Sequence, residues 1–130
     1  MYLLDTHTIS YFFKGMGNIS KNLFNISPKD IFVPSIVIYE LEVGIAKSND
    51  SQKREEQLKR LLSQINIIDF SQKEAIQSAK IRADLEKKGT PIGSIDILIA
   101  GCAKANNFIL VTRNTKEFQR VENLNIVDWY

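Results

Sequence analysis

A chain of 130 residues with 44% hydrophobic content and a formal net charge of +2 is long enough to bury a sizeable core, and its charge neither demands nor excludes nucleic acid. One cysteine, Cys102, excludes an internal disulfide, and with a single histidine, His7, it cannot assemble a zinc cluster. The N-terminus has no basic segment feeding an apolar one, and no run approaches the ~18 apolar residues of a membrane span.

One cytoplasmic domain over residues 1–130, with no membrane association, is therefore expected. Cys102 lies within the apolar run from Ile97 to Ala103, which makes a buried, unreactive thiol in a reducing cytosol the expectation.

Tyr2-Leu3-Leu4 reads as a buried strand ending at Asp5, followed by a helix around Thr8 to Lys14 that Gly15 and Gly17 break. A short helix around Ile19 to Asn25 precedes Pro28 and the strand Ile31-Phe32-Val33. Pro34-Ser35 opens a helix from about Ile36 to Lys47, and the polar stretch 48–51 separates it from a charged helix, Gln52 to about Gln64. In that charged helix Leu58, Leu61, Leu62 and Ile65 form the apolar stripe.

A strand from Ile65 to Asp69 follows, and Ser71-Gln72-Lys73-Glu74 has capping-box spacing for a long helix that Gly89 ends. Ala75, Ala79 and Ala83 line up on it as a small-residue stripe, suited to close packing against the sheet or another helix. Pro91 and Gly93 precede an apolar helix from about Ile95 to Ala105. Phe108 to Thr112 is the clearest strand, and Ile126-Val127 a weak terminal one. Strands alternating with helices imply an α/β fold with a mainly parallel sheet and helices on both faces.

Three carboxylates follow apolar runs and sit at or near helix starts: Asp5, Glu40 and Asp96. In a doubly wound sheet such positions meet at one rim, outside the carboxyl ends of the strands. Clustered acids repel one another unless a cation neutralises them, and an all-oxygen ligand set suits Mg²⁺ or Mn²⁺. Each acid also has a structural reading: Asp5 as a helix cap, Asp96 as a first-turn anion favoured by the helix dipole, Glu40 as a solvated side chain. Glu42 has neighbours as apolar as those of Glu40, so periodicity does not choose between them.

Four segments carry a family resemblance: Leu4-Asp5-Thr6; Ser35-Ile36-Val37-Ile38-Tyr39-Glu40-Leu41; Gly89 to Ala100 with Asp96 at its centre; and Leu110-Val111-Thr112-Arg113-Asn114-Thr115-Lys116-Glu117-Phe118. In this order they resemble the motifs of PIN-domain ribonucleases, and in particular the VapC toxins of bacterial type II toxin–antitoxin modules. The resemblance spans essentially the whole chain, including the closing Val127-Asp128-Trp129. It implies a PIN-like three-layer α/β/α sandwich in which Asp5, Glu40 and Asp96 are the principal acids, with Asp5 and Asp96 the direct ligands of Mg²⁺. It also implies an endoribonuclease acting on tRNA or another structured RNA, a homodimer, and a cognate VapB-type antitoxin. The family's fourth acid falls at Asn114 here, so the last ligand position is open to Asn114, to Glu117 or to no protein group.

An acidic cup repels the phosphates it would cleave, so nearby cations are needed; Arg113, directly after a strand, and Arg82 are the candidates. His7 is read as structural, with phosphate contact as the functional alternative, and Ser94 as a helix cap because no histidine base follows it. Tyr11, Phe12 and Phe13 are read as core, with base stacking or a dimer contact as the alternative. Two rival functions differ from the nuclease: a catalytically inactive PIN-domain binding module, and a receiver-like phospho-acceptor domain. The receiver reading lacks the paired acids after the first strand and the lysine after a late one; Leu4-Asp5 and Thr112-Arg113 stand there instead.

Overall fold

In the computed structural model, which describes residues 1–130, the alternating apolar runs close into one five-stranded sheet flanked by helices on both faces. The strands are β1 (Tyr2–Leu4), β2 (Ile31–Pro34), β3 (Asn66–Ile68), β4 (Ile109–Val111) and β5 (Ile126–Val127). The helices are α1 (Thr6–Phe13), α2 (Ile19–Phe24), α3 (Ser35–Ala46), α4 (Ser51–Leu62), α5 (Gln72–Lys87), α6 (Ser94–Asn106) and α7 (Thr115–Phe118). Most boundaries fall within two residues of those expected; the short α7 and a 3-10 turn at Pro28–Asp30 are additions.

The strand order is β3-β2-β1-β4-β5 and every pairing is parallel, with Leu3 opposite Phe32 on one side and Leu110 on the other. A central parallel strand is covered on both faces, which is why β1 and β4 are short unbroken apolar runs and why Leu3, Leu110 and Val111 are fully buried. The order also fixes where ligands meet the sheet. The chain leaves β1 in opposite directions toward β2 and β4, and the crevice at such a reversal opens at the carboxyl ends of the strands.

The packing of α5 departs from expectation. Ala75, Ala79 and Ala83 are exposed, and the buried face is Glu74, Ser78, Ile81 and Leu85. Close approach is achieved instead by Ser78 against Gly101 of α6, where a Cβ on the glycine would lie 1.9 Å from the serine Oγ.

Glu74 is 1% exposed yet carries a charge. Its carboxylate accepts from the Ser71 backbone N–H at 2.9 Å, from the Ser71 hydroxyl, and from Asn106 Nδ2 at 2.8 Å, so the capping box of α5 also ties down the far end of α6. Burial alone would push its pKa up, but the hydrogen bonds from Ser71 and Asn106 outweigh it and hold the group at about 2. A carboxyl depressed in this way stabilises the fold above its ordinary pKa of 4.5, and that contribution drains away as pH falls toward about 2. Cys102 lies in the same region; burial, with Glu74 adding, pushes its thiol up to about 12 and leaves it unreactive at neutral pH.

Candidate active site

Asp5, Thr6, His7, Glu40, Ser94 and Asp96 line a single cavity of about 240 Å³ at the carboxyl end of β1. Each acid arrives there by a different local device. Asp5 ends β1, its N–H donating to Val111 O at 3.2 Å, and its Oδ1 accepts from the Thr8 N–H at 2.9 Å. It is therefore both the N-cap of α1 and a wall of the cavity; the structural and functional readings hold together.

Glu40 lies in the second turn of α3, half-buried, and its Oε1 accepts from Thr6 Oγ1 at 2.5 Å. Glu42 is exposed instead and lies beside Glu55, and the proximity of that second carboxyl raises its pKa. Helix geometry thus separates two glutamates that apolar neighbours alone did not distinguish.

Asp96 occupies the first turn of α6, where the dipole favours an anion, yet its pKa is pushed up to about 6. Burial is the largest cause, followed by the charges of Glu117, Asp5 and Glu40, with His7 acting in the opposite sense. Four carboxylates from β1, α3, α6 and α7 therefore act on one small volume. Such crowding, opposed only by His7, would favour a cation at the site.

Asn114 and Glu117 act as a pair. Asn114 stands at the N-cap position of α7 without a side-chain capping bond and donates from Nδ2 to Glu117 Oε2 at 2.7 Å, which leaves its side-chain oxygen free to ligate. Glu117 is the strongest charge acting on Asp96, although neither Asn114 nor Glu117 lines the cavity.

Arg82 is 67% exposed, pairs with Glu86 one turn away, and does not line the cavity. Its placement matches a solvated helix face. Arg113, also exposed, stacks on tyrosine rings beside the site. His7 is exposed at the cavity wall rather than packed as a structural histidine. Ser94 is the first residue of α6 and Gly93 is its N-cap, with no side-chain capping bond, so Ser94 does not cap the helix. The sequence marks Thr6 only as a hydroxyl directly after Asp5 at the start of a helix.

The donor set is entirely oxygen-bearing apart from His7, which fits Mg²⁺ or Mn²⁺. No three of the His, Cys, Asp or Glu side chains are placed so that together they could hold a metal ion as they stand.

The PIN domain family model matches residues 2–124. The chain is 38% identical to ribonuclease VapC2 of Rickettsia felis over 99% of this chain and 98% of that protein. It is 32% identical to the tRNA(fMet)-specific endonuclease VapC of Salmonella typhimurium over 98% and 97%. The crystal structure of VapBC2 from Rickettsia felis bound to a promoter DNA fragment superposes with a TM-score of 0.93, covering 99% of this chain and 98% of that one. A receiver-like domain is thereby excluded: the chain belongs to the PIN-domain family of VapC toxins, whose activity is that of a ribonuclease.

Proposed function

We infer that this toxin is a Mg²⁺- or Mn²⁺-dependent endoribonuclease that hydrolyses phosphodiester bonds in tRNA or another structured RNA. The observation that carries this reading is the convergence of Asp5, Glu40 and Asp96 on one cavity, with Glu117 close enough to raise Asp96. The same convergence argues against an inactive binding module, which has no use for mutually repelling acids held in place.

Asp5 and Asp96 are the proposed metal ligands, with Glu40 beside them and Glu117 or the Asn114 oxygen at the remaining position. When bound, the ion polarises a phosphoryl oxygen and lowers the pKa of a water. The chain's own part is orientation. The Thr8 N–H fixes one oxygen of Asp5 and leaves the other free, while the Thr6 hydroxyl holds Glu40, which orders the attacking water and takes its proton. The purified chain should cut RNA with added Mg²⁺ or Mn²⁺ and stop in excess chelator. Equal cleavage in chelator would sink the metal mechanism.

The proposed regulator is a VapB-type antitoxin. A groove between α1, α3 and α4, lined by Phe13, Lys14, Leu41, Ile45 and Arg54, shares Thr6 and Glu40 with the acidic cavity. It continues into a second depression around Phe12, Phe24 and Leu61, where Phe24 is 74% exposed. Apolar anchors leading to an acidic pocket suit an extended or helical segment whose basic side chain enters the acid cluster. Expression of the toxin, proposed as a homodimer, should arrest growth, and co-expressed antitoxin should relieve the arrest and sediment with it. A wild-type chain harmless by itself would overturn the toxin role in the cell.

A further inference from the structure

Beside the acidic cavity four side chains form a ledge that the hydrolytic machinery does not use. The Arg113 guanidinium lies 3.5 Å from the centroid of the Tyr130 ring and 5.6 Å from that of Tyr11. Tyr130 meets Tyr11 edge-on at 5.3 Å, and Tyr11 lies 6.5 Å from His7, which lines the cavity itself. The row therefore runs from the acids outward without a break.

The ledge is fixed from below. Tyr130 O accepts from the Asn18 N–H at 2.7 Å, Trp129 O accepts from Asn22 Nδ2 at 2.9 Å, and the Tyr130 N–H donates to Asp128 Oδ1 at 2.9 Å. Gly17, at φ +62°, lets the ring lie against its backbone, since a Cβ there would sit 2.8 Å from the ring Cγ. A planar cation held against a clamped ring loses little freedom on binding, and Arg113 is solvent-exposed. Arg113 enters no ion pair.

An exposed, unpaired guanidinium plane linked through Tyr11 and His7 to a phosphodiester-cleaving pocket has the chemistry of a nucleotide subsite. Unpaired bases stack on aromatic rings and on arginine planes, while the guanidinium edge takes the phosphate. We propose, resting on the endoribonuclease reading above, that the ledge of His7, Tyr11, Tyr130 and Arg113 binds the unpaired nucleotide next to the scissile phosphate of the RNA. Its base stacks on the Arg113 plane and its phosphate meets the guanidinium edge, which offsets the repulsion from the acids. The ledge thus selects single-stranded or loop segments over duplex.

The test is binding of a short, fluorescently labelled single-stranded oligoribonucleotide to the cleavage-impaired Asp5→Asn chain in Mg²⁺, with and without Arg113→Ala. Stacking of one base predicts about ten-fold weaker binding in the Arg113→Ala chain and a log–log salt slope smaller by about one. Arg113→Lys should restore the slope but not the affinity, because charge returns without the plane. In the otherwise wild-type chain, Arg113→Ala should raise KM for RNA and leave kcat nearly unchanged. Replacing the stacked base by an abasic residue should erase the affinity difference that Arg113→Ala makes, apart from the charge contribution.

A merely structural Arg113 gives another pattern: a lower melting temperature with affinity and KM within two-fold of wild type, which overturns the proposal. Tyr130→Leu keeps apolar packing but removes the ring; unchanged RNA affinity in that folded variant also overturns it. If the wild-type chain cuts no RNA, the endoribonuclease reading fails first and the subsite falls with it. Cleavage retained with Arg113→Ala indistinguishable from wild type removes only the subsite.

Discussion

Substituting Asp5 or Asp96 by Asn is expected to lower RNA cleavage about 10²–10⁴-fold while the chain stays folded. Asn at position 5 keeps an oxygen that accepts from the Thr8 N–H, so the cap of α1 survives and only the charge is lost. At position 96 the change relieves crowding. In chelator the Asp96 carboxyl is raised from 3.8 to about 6, so the folded chain holds its proton more tightly than the unfolded one. Stability is then lost as pH rises through that window, and the full cost is present at neutral pH.

Removing that charge is worth on the order of 1–2 kcal/mol once solvent screening is allowed for, or a melting temperature higher by about 3–8 °C at pH 7 in chelator. The two readouts move in opposite directions: activity falls and stability rises. A folded Asp96→Asn chain with full activity would remove the residue from the mechanism, and a lower melting temperature would contradict the crowding.

The order of strands and helices was legible because apolar runs of strand length alternate with helical patterns, and an all-parallel sheet follows from that alternation. Asp5 and Asp96 were legible because each stands at a chain reversal that such a sheet brings to one rim, whereas Glu40 was set apart from Glu42 by the family resemblance. Finer choices depended on side-chain direction. Glu40 and Glu42 have equivalent apolar neighbours, and only the packing of α3 against α1 and α4 turns one toward Thr6 and the other toward Glu55. The charge of Glu117 reaches Asp96 because α7 supplies a single turn after Asn114, an element too short to leave a periodic signal.

The face of α5 was misread for a related reason. Ala75, Ala79 and Ala83 are small and apolar, so they look like a packing stripe, whereas Glu74 and Ser78 look like solvent positions. The structure reverses this because Glu74 finds enough hydrogen-bond donors to be buried charged, and Ser78 satisfies its hydroxyl on Glu74 O at 2.7 Å. Partners of that kind come from Asn106 on another helix, beyond the reach of local pattern. Arg82 and Arg113 were likewise indistinguishable as residue types; one lies beside Glu86 on an open helix face, and the other follows the central strand β4 beside Tyr130.

Gly101→Ala is the second substitution with a large expected effect, and helix propensity and packing pull it in opposite directions. In an exposed helix the change would stabilise by roughly 1 kcal/mol. Here the new Cβ would lie 1.9 Å from Ser78 Oγ, 2.9 Å from its Cβ and 3.0 Å from its Cα. Rotating the hydroxyl removes only the first overlap and breaks its bond to Glu74 O, so α5 and α6 must separate. The net expectation is a loss of about 1–3 kcal/mol, a melting temperature lower by roughly 5–15 °C. Because α6 begins two residues before Asp96, its displacement also shifts that carboxylate against Asp5, and cleavage at a temperature where the variant is fully folded should fall as well. Ser78→Gly supplies the check: it deletes the two nearest atoms, so the double variant should lose less stability than the two single losses added together. A Gly101→Ala chain as stable as wild type would show that the helices part without cost, and the close contact would then have no role in holding Asp96 in place.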